Sequence, residues 1–273
     1  MSLLALTVPE HGRTAVVVEV PHAGLDIPER VRADVMASAE AIQRDADLLV
    51  DKLYVHAPEV GAALLTARVS RYVVDLNRAP DDVDLETVTD HPTPRVLQPR
   101  GVVWRVTTEG RPALRSPLDY ESLRDRLERF HAPYHHTLRE ILDRTRQQFG
   151  FALLVAGHSM PSANRRGVRD SERRADIVPG SLGGTSADRS VIDCVDQFFR
   201  KAGLSVRHDD PYRGGFTTAH YGRPDQGLHA IQIEINRALY MDEQTCRPKT
   251  GDFERLQGLL RELLRELGTL RLS

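Results

Sequence analysis

Two histidines that follow apolar segments are the residues of this sequence best suited to bind a metal or to transfer a proton. His22 comes at the end of VVVEVPH, and His158 follows FALLVAG in the same manner. Side chains at the carboxyl ends of neighbouring strands meet at one edge of a sheet, where α/β proteins place their sites. A lone histidine at a strand end can also simply hydrogen bond to backbone. The pair together predicts a shared site.

Acidic residues that can complete a metal site occur in the segment RDAD, as Asp45 and Asp47. Catalytic zinc commonly takes three protein ligands from His, Asp and Glu and keeps a fourth position for water. Because a helix is predicted to begin near residue 44, the alternative is that these carboxylates stabilise its first turn. One of the two is enough for that role, which leaves the other as a candidate ligand.

A third candidate, Glu234, lies in the middle of the predicted strand HAIQIEINR. Alternation places Gln232, Glu234 and Asn236 on the face opposite the isoleucines. An unpaired carboxylate costs several kcal/mol to bury, so Glu234 needs a cation or water. It is therefore either a general base for a metal-activated water or the partner of an arginine in a salt bridge.

The segment SRYVVDLNRAPDD carries Arg71, Asn77 and Arg78 around a predicted strand. A guanidinium fork beside a side-chain amide can bind a carboxylate through paired hydrogen bonds. The alternative is a purely structural ion pair between Asp75 and one of the arginines. Both interpretations stay open at this point.

Short apolar segments alternate with helical patterns along the chain, which predicts an α/β protein with a sheet flanked by helices. We expect one domain over 1–273, with long loops at 80–116 and 164–184. The predicted strands are 14–20, 61–67, 71–76, 151–157, 204–208 and 229–235, and the predicted helices are 44–57, 117–148, 187–202 and 251–270.

Composition excludes several classes of partner. The formal net charge is -2, which gives no electrostatic reason to expect nucleic acid or an anionic membrane. Cys194 and Cys246 can form one bridge at most, so no secreted disulfide framework is expected. The sequence has neither a basic leader nor a long uninterrupted apolar run. These features predict a soluble, cytoplasmic protein and do not determine its oligomeric state.

Two competing catalytic motifs fit the sequence less well. His131 and His135 stand four residues apart, the spacing of a zincin helix, but that motif needs glutamate after the first histidine, where this chain has Ala132. Pro133 also disturbs the helical turn between them. The segment GHSMP lacks the second glycine of a serine-hydrolase elbow.

Several motifs together resemble the N-formylglutamate amidohydrolase family. They are VPHAG, RDAD, RYVVDLNRAPDD, GHS and YRGGFTTAHYGRPDQGLHAIQIEINRALYMDE, in the order in which that family carries them, over roughly residues 15–243. The family is similar to zinc carboxypeptidases and to aspartoacylase. The resemblance implies a mixed sheet between helices, the zinc-carboxypeptidase-like (phosphorylase/hydrolase-like) fold, and one zinc ion (Zn2+) per chain.

Carried over residue by residue, the resemblance makes His22 and His158 metal ligands and Glu234 the catalytic base. The middle ligand departs from the carboxypeptidase pattern, because the position three residues after His22 is Leu25. The role therefore goes to the RDAD segment, with Asp45 preferred and Asp47 as the alternative.

The resemblance also assigns the substrate contacts. Arg71 matches, within one residue of spacing, an arginine that polarises the scissile carbonyl, while Asn77 and Arg78 match the residues that bind the substrate carboxylate. For a second carboxylate we predict Arg213, in a glycine-containing loop, with Thr217 or Thr218 as an additional donor. A solvent-exposed loop arginine is the alternative for Arg213.

The implied reaction is zinc-dependent hydrolysis of a small N-acyl amino acid, N-formyl-L-glutamate, to formate and L-glutamate, as in histidine degradation. Three alternatives remain. They are hydrolysis of a related N-acyl or N-formimino amino acid, a carboxypeptidase-like peptidase, and a non-catalytic carboxylate-binding protein on the same fold.

Overall fold

The computed structural model describes residues 3–97, 100–163 and 174–272. Its contacts divide the chain into two compact units. The first unit consists of Met1–Ala5, Pro21–Leu48 and Thr66–Glu140, and the second consists of Leu6–Val20, Leu49–Leu65 and Ile141–Ser273. One folding domain over 1–273 stays a prediction, because this division does not show whether either unit folds alone.

Six strands form the main sheet, in the order β1-β3-β2-β4-β6-β5. Their bounds are β1 Leu4–Thr7, β2 Val16–Val20, β3 Ala63–Ala67, β4 Ala152–Met160, β5 Ile177–Gly180 and β6 Leu228–Asn236. A separate antiparallel pair consists of β7 Met241–Asp242 and β8 Arg247–Pro248.

The sheet is mixed in direction, as predicted. In the second unit β2 pairs with β4 and β4 with β6 in parallel, whereas β5 pairs with β6 antiparallel. Every residue of β4 is buried, which is typical of a parallel strand covered on both faces. The expected α/β architecture with helices flanking a mixed sheet is therefore confirmed.

Eight α-helices accompany the strands in the described ranges. They are α1 Glu29–Arg32, α2 Ala39–Asp45, α3 Val50–Leu53, α4 Tyr120–Arg126, α5 Ala132–Phe149, α6 Arg189–Lys201, α7 Phe216–Tyr221 and α8 Asp252–Leu267. A π-helical turn at Leu127–His131 joins α4 to α5. None of these helices has the length and apolar character needed to cross a membrane.

Two predicted strands are wrong. Residues 71–76 form turns, because local side chains bond to the backbone: Ser70 Oγ accepts from the amide of Tyr72, and Asp75 accepts from that of Asn77. Residues 204–208 contribute only an isolated bridge between Val206 and Ile177.

The predicted helix at 44–57 is also wrong. Helix α2 already ends at Asp45, and Leu49 then takes the left-handed conformation before the single turn of α3. Asp45 therefore lies in the last turn of a helix, where a carboxylate opposes the dipole, and the suggestion that it stabilises a first turn fails.

The predictions of long loops at 80–116 and 164–184 have different outcomes. The described part of 80–116 contains isolated bridges and turns but no helix or strand. The predicted loop at 164–184 contains β5 at its end, and its residues 164–173 lie outside the described ranges.

Candidate active site

The polar centre of the first unit is the carboxylate of Asp75, which is fully buried. Oδ1 accepts from His22 Nε2 at 2.7 Å and from the backbone amide of Asn77 at 3.0 Å. Oδ2 accepts from Arg71 Nη2 at 2.8 Å and Nε at 3.2 Å, and from Trp104 Nε1 at 3.0 Å. The two oxygens thus bind different partners.

The pKa of Asp75 lies well below its ordinary value. Burial by itself raises the pKa of this carboxyl, but the charge of Arg71 and the interaction with His22 lower it by more. Asp75 is consequently ionised and can only accept hydrogen bonds. The hydrogen bond at 2.7 Å therefore takes its proton from His22 Nε2, and Nδ1 is the second ring nitrogen.

Asp47 lies beside that second ring nitrogen. Its Oδ2 is 3.4 Å from His22 Nδ1, and its backbone amide donates to the carbonyl oxygen of His22 at 2.9 Å. Both side chains are buried. An imidazole nitrogen and a carboxylate oxygen at this separation can act as two ligands of one metal ion.

Asp45 is bonded to different partners. Its carboxylate accepts from the hydroxyl of Tyr72, from the hydroxyl of Thr108, and from the amide of Thr108 at 2.8 Å. Burial first, and then the charge and hydrogen bond of Asp45, raise the pKa of Tyr72 and keep its hydroxyl protonated. The first unit therefore brings Asp47 to His22 and uses Asp45 to join two parts of its own chain.

Arg71 is held between acidic groups and an indole ring. Its Nη1 donates to the carbonyl oxygen of Asp45 at 3.2 Å, and its guanidinium carbon lies 4.2 Å from the ring centre of Trp104, a cation–π arrangement. Burial lowers the pKa of Arg71, but Asp75 and Asp47 raise it by more. The side chain is charged and fixed in orientation.

Asn77 and Arg78 follow on the same turn. Arg78 Nη1 donates to the carbonyl oxygen of Asn77 at 3.2 Å. His131 Nε2 donates to the carbonyl oxygen of Arg78, and His135 Nε2 to that of Leu76, both at 3.0 Å. The histidines of the zincin-like spacing thus hold the backbone of this segment. Burial lowers the pKa of His131 and favours the neutral ring.

In the second unit, His158 and Glu234 are neighbours across the sheet. They are register partners on the parallel strands β4 and β6, and both are buried. Gln232 Nε2 donates to Glu234 Oε1 at 2.9 Å, and Gln232 Oε1 accepts from the amide of Gly215 at 2.9 Å. One amide thereby connects the candidate base to the loop that precedes α7.

That loop contains Arg213, whose carbonyl oxygen accepts from the amide of Leu182 at 2.8 Å. The backbone passes so close to β5 that a Cβ atom on Gly180 would lie 2.7 Å from the amide nitrogen of Gly214. Thr217 and Thr218 are fully buried in α7. The second unit therefore brings the glycine loop next to the strand pair that carries Gln232.

Within the second unit, strands β2 and β4 run parallel, with Glu19 opposite Ala156. His158 lies within β4, and β2 ends at Val20. That His22 and His158 share one site stays a prediction.

The sequence did not indicate two contributors to this arrangement. Trp104, the one tryptophan of the chain, lies in the segment predicted as a long loop. For Asp75 the sequence suggested only a structural ion pair with an arginine. For Gln232 a signal existed, because strand alternation already placed it on the face of Glu234.

A family model described as N-formylglutamate amidohydrolase matches residues 14–241. The chain belongs to this family. It is 35% identical over 264 residues to an N-formylglutamate deformylase of Pseudomonas aeruginosa, with 94% of each chain covered. It is 32% identical over 260 residues to an N-formylglutamate deformylase of Pseudomonas putida, covering 94% of this chain and 93% of the relative.

Two solved structures resemble this chain in fold. The crystal structure of N-formylglutamate amidohydrolase from Ralstonia eutropha JMP134 matches with a TM-score of 0.91 and 30% identity, covering 98% of both chains. A gene product from Agrobacterium tumefaciens, Atu2144, shares the fold with a TM-score of 0.69 at 23% identity, over 98% of this chain and 95% of its own.

Proposed function

We propose that this chain hydrolyses the amide bond of N-formyl-L-glutamate, releasing formate and L-glutamate. The observation that carries the proposal is the match along 94% of the chain to two N-formylglutamate deformylases. The family model matches residues 14–241, a range that includes every residue that we assign below. The deformylase reaction also accounts for a site that combines buried imidazoles, carboxylates and fixed arginines.

We further propose that His22, Asp47 and His158 bind one zinc ion. The donor set supports this proposal, because two imidazoles and one carboxylate, all buried, form a typical catalytic zinc set. The pairing of His22 Nε2 with Asp75 is a second support, since metal-binding histidines usually donate their other ring proton to a carboxylate. When bound, the ion would acidify a water molecule and polarise the formyl carbonyl.

The proposal takes Asp47 rather than Asp45 as the acidic ligand. The carboxylate of Asp45 already accepts three hydrogen bonds, whereas that of Asp47 lies beside His22 Nδ1.

Glu234 is the proposed general base. Its carboxylate takes a proton from the attacking water and returns it to the leaving amine, so that a free amino group departs rather than an amide anion. Gln232 holds one oxygen of this carboxylate and limits its rotation. A base oriented in advance needs no rearrangement when the formyl carbon is attacked.

Arg71 is proposed to stabilise the negative charge that develops on the formyl oxygen. Among the described residues, Nη1 donates one hydrogen bond, to the carbonyl oxygen of Asp45, and this nitrogen carries two protons. A fixed donor of this kind contributes about 3 to 4 kcal/mol in known oxyanion sites.

Two further groups are proposed to bind the carboxylates of the substrate. Asn77 and Arg78 would bind one of them, and Arg213 with Thr217 or Thr218 would bind the other. Binding at both ends places the formyl group at a fixed distance from the catalytic residues.

The test is a release assay with purified protein and a panel of N-formyl, N-acetyl and N-formimino amino acids. We expect formate from N-formyl-L-glutamate, loss of turnover on chelation, and close to one equivalent of zinc per chain. Turnover of the formimino or acetyl compounds alone would favour a related amidohydrolase. Release of C-terminal residues from peptides would favour a peptidase, and binding without release would favour a carboxylate-binding protein.

A further inference from the structure

We propose that His131 and His135 are positioning residues for the substrate, which they serve by fixing the backbone of the segment that carries Asn77 and Arg78. The proposal rests on the substrate-binding role given to Asn77 and Arg78 above. Neither histidine belongs to the proposed zinc ligands or to the proposed substrate contacts. The inference therefore assigns a task to a pair whose spacing by itself resembles that of a zincin helix.

The first argument is that the two histidines bind the backbone on both sides of Asn77. This segment forms turns and no strand, so its carbonyl oxygens need donors other than a strand ladder. His135 Nε2 donates to the carbonyl oxygen of Leu76 at 3.0 Å. His131 Nε2 donates to that of Arg78, also at 3.0 Å. The peptide groups before Asn77 and after Arg78 are therefore held by one helix.

The second argument is the shape of the helical element that continues from α4 into α5. In its π-helical turn the amide of Ala132 donates to the carbonyl oxygen of Leu127, five residues earlier. Residues five apart in a regular α-helix point about 140° away from each other, whereas a turn that closes over five residues brings them onto one face. Arg126, five residues before His131, accordingly donates from Nη1 to the carbonyl oxygen of Val73 at 2.9 Å. Three side chains of one helical face thus bind one segment.

The sequence accounts for this irregular turn. Pro133 has no amide proton for the carbonyl oxygen of Arg129, and its ring crowds that oxygen. A regular α-helix is therefore disfavoured just before Pro133, where the structure has the π-helical turn. The proline thus lies beside the turn that orients His131 towards the segment carrying Arg78.

Both imidazoles carry a proton on Nε2, because a carbonyl oxygen can only accept a hydrogen bond. The two ring centres lie 4.2 Å apart, so two protonated rings would repel each other. Burial lowers the pKa of His131, which favours its neutral form. A neutral ring keeps the Nε2 donor, so the contact with the backbone does not require a charge.

A fixed backbone matters most for substrate binding. Arg78 Nη1 donates to the carbonyl oxygen of Asn77 at 3.2 Å, so the guanidinium is itself bonded to the backbone that the histidines hold. A site that is ordered before the substrate arrives loses less entropy when the carboxylate binds. Loss of either histidine donor should therefore raise KM more than it lowers kcat.

The experiment compares two substitutions at each histidine. His131→Leu and His135→Leu remove the donor, whereas His131→Gln and His135→Gln keep an NH2 group in its place. For each Leu variant we expect KM for N-formyl-L-glutamate to rise about 3- to 10-fold, the effect of one lost hydrogen bond, with kcat within about twofold of wild type. Each Gln variant should recover most of this loss, and the zinc content of all four variants should equal that of wild type.

Two further measurements separate positioning from a general loss of stability. His136→Leu alters an exposed histidine of the same helix, whose Nε2 lies 3.5 Å from Glu140 Oε1, and should leave KM unchanged. Arg78→Lys weakens the substrate contact itself, so adding His135→Leu to Arg78→Lys should raise KM by less than the product of the two separate effects. A merely structural role would give effects that multiply.

The outcomes separate this inference from the proposed function. Wild-type protein that releases no formate from N-formyl-L-glutamate overturns the proposed function, and the inference falls with it. If the wild-type protein is active, an unchanged KM in both Leu variants, or multiplying effects in the double variant, overturns the inference alone. If the Leu variants do not fold, 15N NMR of the wild-type rings decides. A neutral ring with its proton on Nδ1 contradicts donation to the carbonyl oxygens, and protons on both Nε2 atoms support it.

Discussion

Replacement of the two neighbouring aspartates by asparagine should have opposite effects on zinc binding and stability. Asp47 lies beside His22 Nδ1, so Asp47→Asn removes the negatively charged ligand that we propose for the zinc ion. Loss of an outer partner already costs 10- to 100-fold in metal affinity, and we expect about 100-fold or more for this variant. The fold of this variant should persist, because Asp47 lies outside α2. The hydrogen bond from its backbone amide to the carbonyl oxygen of His22 is also retained.

Asp45→Asn should instead reduce stability and keep zinc affinity. Oδ2 of Asp45 accepts from the Tyr72 hydroxyl and the Thr108 amide, and Oδ1 accepts from the Thr108 hydroxyl. An amide oxygen in the place of Oδ2 keeps two of these bonds, and the NH2 group can donate to the hydroxyl of Thr108. The remaining hydrogen bonds are weaker because their acceptor is no longer charged, which lowers the free energy of unfolding by about 1 to 2 kcal/mol. For a chain of this size, that corresponds to a fall in Tm of about 2 to 8 °C.

The assay is a pair of measurements on each variant, namely zinc affinity by chelator competition and Tm of the metal-free protein. The two substitutions change the same chemical group two residues apart, so each is the control of the other. If Asp45→Asn lost zinc and Asp47→Asn kept it, the assignment from hydrogen bonding would be refuted.

Three further predictions concern the base, the substrate contact and the buried carboxylate. Glu234→Gln should retain zinc and fold but reduce kcat by about 10²- to 10⁴-fold, the usual contribution of general base catalysis; formate release and metal content measure this. Arg78→Lys should raise KM for N-formyl-L-glutamate more than it lowers kcat, because an ammonium cannot replace a guanidinium fork. Asp75, whose pKa is depressed in the folded protein, should stabilise the fold fully above the ordinary aspartate pKa of about 4. That contribution should be lost as the pH falls through the lower folded pKa, so chemical unfolding of Asp75→Asn between neutral and acidic pH should depend less on pH.

Each of these predictions has a result that would contradict it. Full activity in Glu234→Gln would remove Glu234 as the base, and loss of zinc in that variant would make it a ligand instead. An unchanged KM in Arg78→Lys would remove Arg78 from the substrate contacts. A wild-type pH dependence of unfolding in Asp75→Asn would show that other carboxylates cause the acid sensitivity.

Much of the second unit was predictable from local sequence. The segments around Leu154 and Ile233 are continuous or alternating apolar runs, and the structure makes them the buried parallel strands β4 and β6. Their patterns reflect burial, which is a property of consecutive residues. Alternation also placed Gln232 and Glu234 on one face, where the structure joins them.

The segment around Asp75 was not predictable in the same way. Its valines favour a strand, but Ser70 and Asp75 bond to nearby amides and hold it in turns. Competition between a side chain and a sheet for the same amide is decided by whether a strand partner is available. Local sequence does not contain that information.

The sequence alone determined the alternating α/β architecture, the family, and the set of residue types from which a metal site can be built, because apolar periodicity and motif order are properties of the chain. Tertiary structure decided which of two equivalent aspartates lies beside His22 and which ring nitrogen of His22 contacts the buried carboxylate of Asp75. Both depend on donors distant in sequence, such as Thr108 and Trp104, and only folding brings these donors to the carboxylates that they bind.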